Sequence, residues 1–254
     1  MNPQMKQVEL DEIREDVRRH ITALPAAFDS FLEERILTSS HYRMFINHEA
    51  AGFASIHGGN LITQFAMEDR FKRYGQQAFS MLRRMERVQA AFVPTFDECY
   101  LAHALDGYRQ LAKQAYFFAD AGEPLEKPGQ FTLRSAEPGD AEFIRREAGD
   151  LFDRIEERIA AGQLFVTLRG DEPVGFGIRE ISALYDDVAS VGMHTIARFR
   201  QQGVGTTTIR LLIDDTRKRG LRAVAGCWYY NHNSKKTLEA AGLYTQTRLL
   251  KVDY

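Results

Sequence analysis

Arg200-Gln201-Gln202-Gly203-Val204-Gly205-Thr206 lies between an apolar strand-like run and a helix-like run, so it reads as strand, tight glycine turn, helix. Two glycines at such a junction let the backbone curl close to a bulky anion. The free N–H groups of the new helix's first turn, here Gln202 to Thr206, point at that anion, aided by the positive end of the helix dipole. Arg200 adds a fixed positive charge and Thr206 a hydroxyl donor. The stretch reads as a pyrophosphate cradle. It is not a dinucleotide fingerprint, because Thr208 stands where the third glycine belongs, and it lacks the spacing and the Lys of a nucleotide P-loop.

A second element follows at Asn231-His232-Asn233-Ser234-Lys235-Lys236-Thr237-Leu238-Glu239-Ala240-Ala241-Gly242-Leu243. Asn231 or Asn233 can cap a short helix, Leu238 and Ala241 face inward, and Gly242 ends it as a left-handed cap. With the glycine turn before it, this pair of motifs resembles the GNAT acetyltransferase superfamily. The turn matches that family's acyl-CoA-binding pattern Gln/Arg-x-x-Gly-x-Gly/Ala. Asn231, Ser234 and Gly242 fall in register with its C-terminal signature, and Leu243 stands where Phe is usual.

The intervening pattern agrees with that order. Leu164 to Arg169 and Pro173 to Ile181 read as strands joined by the polar turn Gly170-Asp171-Glu172. Val188 to Ala197 reads as a third strand running into the cradle. Val204 to Arg219 is an amphipathic helix stopped by Gly220, and Leu221 to Tyr230 is another strand. Phe131 to Arg134, followed by Glu137 to Asp140, resembles the family's opening strand and first helix start. The resemblance covers a domain from about 129 to 254.

Residues 121–130, punctuated by Gly and Pro, form the best linker. The residues before it read as a faded copy of those after it. His41 to Asn47, Ala51 to His57 and Leu61 to Met67 supply strands, and Arg87 to Val93 a later one. Arg70 to Ala78 takes the place of the cradle, where Gln77 fills the second glycine position and obstructs a close approach. The expected fold is α/β with a mixed sheet. It comprises two tandem GNAT-like domains, each a central mixed sheet flanked by helices: a degenerate one at 1–122 and an acetyl-CoA-binding one at 129–254. The spacing of Leu101, Leu105, Tyr108 and Leu111 predicts a long amphipathic helix from Phe96 to about Ala119. Glu9 to Arg19 reads as a charge-rich helix with a solvated face.

The chain has 254 residues, 44% apolar content and a formal net charge of −2. That balance carries neither a nucleic-acid footprint nor a polybasic membrane patch. Apolar runs fall far short of the ~20 residues of a membrane span, and Met1 to Lys6 lacks a signal-peptide core. Cys99 and Cys227 form no disulfide framework, and the His and Cys spacings suggest no metal. A cytoplasmic monomer or homodimer is expected.

The resemblance implies direct transfer of an acetyl group from acetyl-CoA to an amine acceptor, with no covalent enzyme intermediate. The strand before the cradle (Met193, Thr195, Ile196 and Ala197) would offer backbone groups to the pantetheine arm. Arg200, Gln201, Gln202, Gly203, Val204, Gly205 and Thr206 would hold the pyrophosphate, and Asn231 and Ser234 would meet the pantetheine or acyl end. The family's usual leaving-group acid is a Tyr at the position of Leu238, so Tyr229, Tyr230 and Tyr244 are substitutes, with Tyr230 named as the candidate. Glu180, near a strand end, is the first candidate base, with Asp186, Asp187 and His194 behind it. An alternative reading is a non-catalytic acyl-CoA-binding or regulatory module that keeps the cradle without the acid and base.

Overall fold

The computed structural model describes residues 3–85, 87–126 and 128–254; Lys127 of the linker, with Met1 and Asn2, lies outside the described residues. The first half contributes β1 (Gln4–Val8), α1 (Leu10–Ala23), α2 (Ser30–Leu37), β2 (Ser40–Ile46), β3 (Glu49–His57), β4 (Leu61–Met67), α3 (Gly75–Arg83), β5 (Ala90–Pro94), α4 (Glu98–Ala104) and β6 (Gln110–Asp120). The second contributes β7 (Phe131–Ser135), α5 (Ala141–Ala148), α6 (Ile155–Ala160), β8 (Leu164–Arg169), β9 (Glu172–Ile181), β10 (Val188–Thr195), α7 (Val204–Lys218), β11 (Arg222–Trp228), α8 (His232–Ala240) and β12 (Leu243–Asp253).

All these strands join one sheet in the order β1-β2-β3-β4-β5-β12-β6-β11-β10-β9-β8-β7. The last strands of the two halves have changed places. β12 pairs antiparallel with β5 of the first half, β6 pairs antiparallel with β11 of the second, and the two run antiparallel to each other in between. Two junctions are parallel, β4 with β5 and β10 with β11, and each is short. The sheet is therefore mixed, and helices cover both faces.

Alternation along β6 shows how the faces are used. Ala115 and Phe117 enter the core under α1 and α2, whereas Tyr116 and Phe118 enter the core under α7 and α8. Glycines set the distance of α7 from the sheet. A Cβ on Gly177 would press on Leu212 and Thr208, and one on Gly175 would approach the His194 carbonyl. Beside them, the Thr167 and Thr208 hydroxyls meet at 2.7 Å and satisfy each other in the interior.

One expectation, the long helix, is corrected. The predicted helix over 96–119 is a short helix, α4, followed by the central strand β6. Gly107, at φ +66°, breaks the chain between them, and Leu105, Tyr108 and Leu111 are all exposed. Their helical spacing was accidental, and the run Ala115-Tyr116-Phe117-Phe118 is the true signal, since aromatics in a short continuous apolar run suit a strand buried on both faces. The charge-rich segment from Glu9 is helical, opened by a reciprocal Glu9–Glu12 capping box. Its Ile13, Val17 and Ile21 form a buried stripe against the sheet, so only one side is solvated.

Candidate active site

β10 and β11 are in register only from Val188 opposite Arg222 to Ser190 opposite Val224. Beyond that point they part, while β11 stays paired with β6 and β10 with β9. The backbone groups that would have joined β10 to β11 therefore line a gap. A cleft of about 890 Å³ occupies it, running from the N-terminus of α7 on one face of the sheet to Arg158 and Glu180 on the other. It is large enough for an extended small molecule.

The glycine turn at its mouth has the geometry of an anion cradle. Gly203 is left-handed, φ +80° and ψ 0°, and a Cβ there would meet nothing within 4 Å. Gln201, at φ +61°, is also left-handed, a conformation rare outside glycine and concentrated at functional sites. The first helical backbone bond at this end runs from Thr207 to Gly203, so the N–H groups of Val204, Gly205 and Thr206 have no backbone acceptor among the described residues. Gly205 is hemmed in, since a Cβ there would lie 3.1 Å from Thr195 Oγ1, 3.2 Å from Thr237 Cγ2 and 3.4 Å from Met193 Sδ.

Of the residues named from sequence, Glu180, Met193, His194, Thr195, Arg200, Gln201, Gly203, Val204, Gly205, Thr206, Asn231 and Ser234 line this cleft. Ile196 is buried in the core beside Val204 and Phe199, and Ala197 opens a short 3₁₀ turn. The Gln202 side chain turns away, accepting from Arg169 and donating to the Arg198 carbonyl. Asn231 caps α8 by accepting from the Ser234 N–H at 3.0 Å.

Tyr230 is half exposed and does not line the cleft; its ring packs edge-on against Trp228 and Tyr229. Leu238, at the position where the family's Tyr is usual, is buried at the cleft wall. The other carboxylates named, Asp186 and Asp187, are exposed and ion-paired with Arg18 and Arg222. His194 faces away from Met193 and stacks on Phe176, and burial holds its pKa below the ordinary value.

Glu180 is not a free carboxylate. Arg158 of α6 donates to its Oε1 at 2.5 Å, and the Ser30 hydroxyl of α2 donates to Oε2 at 2.6 Å. Arg158 is itself held by Asp153 and Gln163. Sequence reasoning missed Arg158 because its partners lie on three different segments. Cys227 also lines the cleft, and burial pushes its thiol up to about 11, so it is uncharged at neutral pH.

The first half has its own cleft, of about 1010 Å³, beside β3, β4 and α4. The corresponding helix, α3, opens differently. A 3₁₀ turn, Asp69–Tyr74, leads straight into Gly75, whose N–H donates to the Lys72 carbonyl and whose φ is right-handed. A Cβ on Gly75 would collide with the His103 ring, so a side chain fills the space above that turn. Gln77, at the second glycine position, is exposed.

Two family models match the chain: an acetyltransferase (GNAT) domain over residues 9–121 and the acetyltransferase (GNAT) family over 131–243. The chain consists of two tandem GNAT domains. Among solved structures, an acetyltransferase of the GNAT family from Colwellia psychrerythraea has the same fold at a TM-score of 0.88, with 17% identity and 99% of each chain covered. A GCN5-related N-acetyltransferase from Sphaerobacter thermophilus follows at 0.63, with 12% identity over 99% of this chain and 95% of that one. A tandem GNAT protein from the clavulanic acid biosynthesis pathway also gives 0.63, with 10% identity over 100% and 98%. No match was found among curated protein sequences. The GNAT domains make this chain an acyltransferase. Among the described residues, no helix is long and apolar enough to cross a membrane.

Proposed function

We propose that the second GNAT domain binds acetyl-CoA and transfers its acetyl group directly to an amine. The observation that carries this reading is the left-handed Gly203 turn, with its open N–H groups, placed at the mouth of the gap between β10 and β11. The pyrophosphate lies on that turn with Arg200 as countercharge, and the pantetheine arm takes the place of a strand between β10 and β11. The acetyl end then reaches the Glu180 side of the sheet. Glu180 stands there as a fixed negative charge facing the amine, oriented by Arg158 and Ser30. Tyr230 stays outside the cleft, and no Tyr is among the residues that line it. The departing thiolate takes its proton from solvent in the open cleft or from the attacking nitrogen.

Calorimetric titration with acetyl-CoA, followed by a thiol-release assay over a panel of amines, tests the proposal. One site per chain with amine-dependent thiol release is expected. Failure to bind would overturn the reading, and binding without release would favour the non-catalytic module.

Direct transfer also sets an expectation for Cys227. With its thiol raised to about 11, only a minute thiolate fraction exists at pH 7.5. Cys227→Ala is expected to keep kcat within about tenfold, since a buried nucleophile that carried the acyl group would lose far more, on the order of 10⁴-fold or beyond. A fall to background, with the protein still folded, would indicate an acyl-enzyme instead.

A further inference from the structure

The first domain packs behind the inner end of the second domain's cleft, against residues of its wall, without lining the cleft itself. The loop before α2 and the first turns of that helix dock where β10 and β11 part. Phe28 packs on Tyr185 at 4.9 Å, the Ser30 N–H donates to Ser190 Oγ at 3.2 Å, and Glu33 accepts from the Ser182 hydroxyl at 2.7 Å. Ser190 is the last residue of β10 still opposite β11, so this contact sits at the apex of the gap.

Asp29 stands at that apex. It caps α2 by accepting from the Leu32 N–H at 3.3 Å through Oδ1. Its other oxygen, Oδ2, lies against Gly226 of β11, two residues past the last β10–β11 pair, and any Cβ on Gly226 would collide with it. The strand has thus left one position bare for a carboxylate from the other domain. Gly226 and Glu180 both line the cleft, and Asp29 itself is 7% exposed.

We propose that Asp29, supplied by the first domain, accepts the proton of the incoming amine in the acetyl-CoA cleft of the second. The inference rests on the function proposed above. The ammonium form gives one proton to the Asp29 carboxylate, and the freed lone pair attacks the thioester carbonyl carbon. A C–N bond forms, the C–S bond breaks, and CoA leaves as a thiolate. The second nitrogen proton neutralises that thiolate, and Asp29 returns its proton to solvent.

The electrostatics suit the role. Burial pushes the carboxyl up to about 6, opposed by the Leu32 N–H, raised further by the Glu180 charge and lowered a little by Arg35. The groups facing it are Glu180 of β9, Arg35 of its own helix and the uncharged Cys227 thiol of β11; Arg158 of α6 acts on it through Glu180. A carboxyl of this pKa is ionised at pH 7.5 and is a stronger proton acceptor than a surface Asp.

Asp29→Asn keeps the helix cap and removes the charge. Its expected result is unchanged acetyl-CoA affinity by calorimetry and a kcat lower by on the order of 100-fold. The probes are benzylamine, putrescine and glycinamide, with the slow hydrolysis of acetyl-CoA by water as an acceptor-free readout. The wild-type acid limb near pH 6 should vanish in the variant. In Glu180→Gln it should persist but move to lower pH, because a charge that raises the Asp29 pKa has gone. Asp29→Ser, which also retains a cap, replaces the Asn variant if the latter fails to fold. An Asp29 variant with wild-type kcat and acid limb would overturn the proposal, as would a limb lost in Glu180→Gln alone. A wild type that binds acetyl-CoA but neither hydrolyses it nor acetylates any of these amines would also overturn it. A wild type that does not bind acetyl-CoA overturns the underlying function instead, which keeps the two failures distinct.

Discussion

Gly203→Val is expected to weaken acetyl-CoA binding at least about 100-fold, equivalent to ~2.7 kcal/mol. Gly203 sits at φ +80°, where a β-branched residue is a genuine outlier and strain costs ~1–3 kcal/mol. Relaxing that strain swings the peptide and re-aims the N–H groups that open α7. If the turn holds, the isopropyl group stands in the space a pyrophosphate must enter. Beyond its chain neighbours, nothing lies within 4 Å of the position a Cβ would take, so the fold has no packing reason to fail. Calorimetry should show the loss while circular dichroism shows native secondary structure. Wild-type affinity in a folded variant would remove the cradle from this turn.

Residues 129–254 expressed alone are expected not to form a stable monomer. In the whole chain, β11 is paired with β6, and β12 lies between β5 and β6. Deleting the first half strips β12 of both neighbours and opens one edge of β11. It also removes Tyr116 and Phe118 from the core under α7, and uncovers Val188 and Val224, which pack with α2. Long unpaired edges beside exposed apolar surface favour aggregation. Losing this much buried surface exceeds the ~5–15 kcal/mol by which ordinary domains are stable. The fragment should be insoluble or self-associated, and co-expression with residues 1–122 should restore a soluble complex that binds acetyl-CoA. A soluble 129–254 monomer that melts cooperatively would show that the strand exchange is dispensable.

The legible parts of this protein are those whose determinants are contiguous. The cradle occupies seven successive residues, and its glycine conformations and free N–H groups follow from local backbone sterics. Asn231 and Gly242 bracket α8 for the same reason: cap and stop act within one turn of the helix they bound. Strands β8 to β11 also emerged from short runs of apolar and β-branched residues. The illegible parts were those in which local pattern and tertiary demand disagree. Leu101, Leu105, Tyr108 and Leu111 share a helical spacing, yet only Leu101 lies in a helix and Leu111 already belongs to a strand wedged between β12 and β11, where pairing on both edges outweighs a weak helical stripe.

The amino-acid sequence by itself determined the two-domain plan, the family and the glycine turn before α7, because each depends on interactions between residues a few positions apart. Tertiary structure alone decided which last strand pairs with which half, that His103 fills the space over Gly75, and that Arg158 and Ser30 hold Glu180. It also decided that Asp29 packs against Gly226 of the second domain's cleft wall. Ser30 and Glu180 are 150 positions apart, and their contact exists only because packing of α2 on the parted strands buries both. Local propensity acts over a turn or a strand, whereas a buried carboxylate is shaped by whatever the folded chain brings to it from a distance.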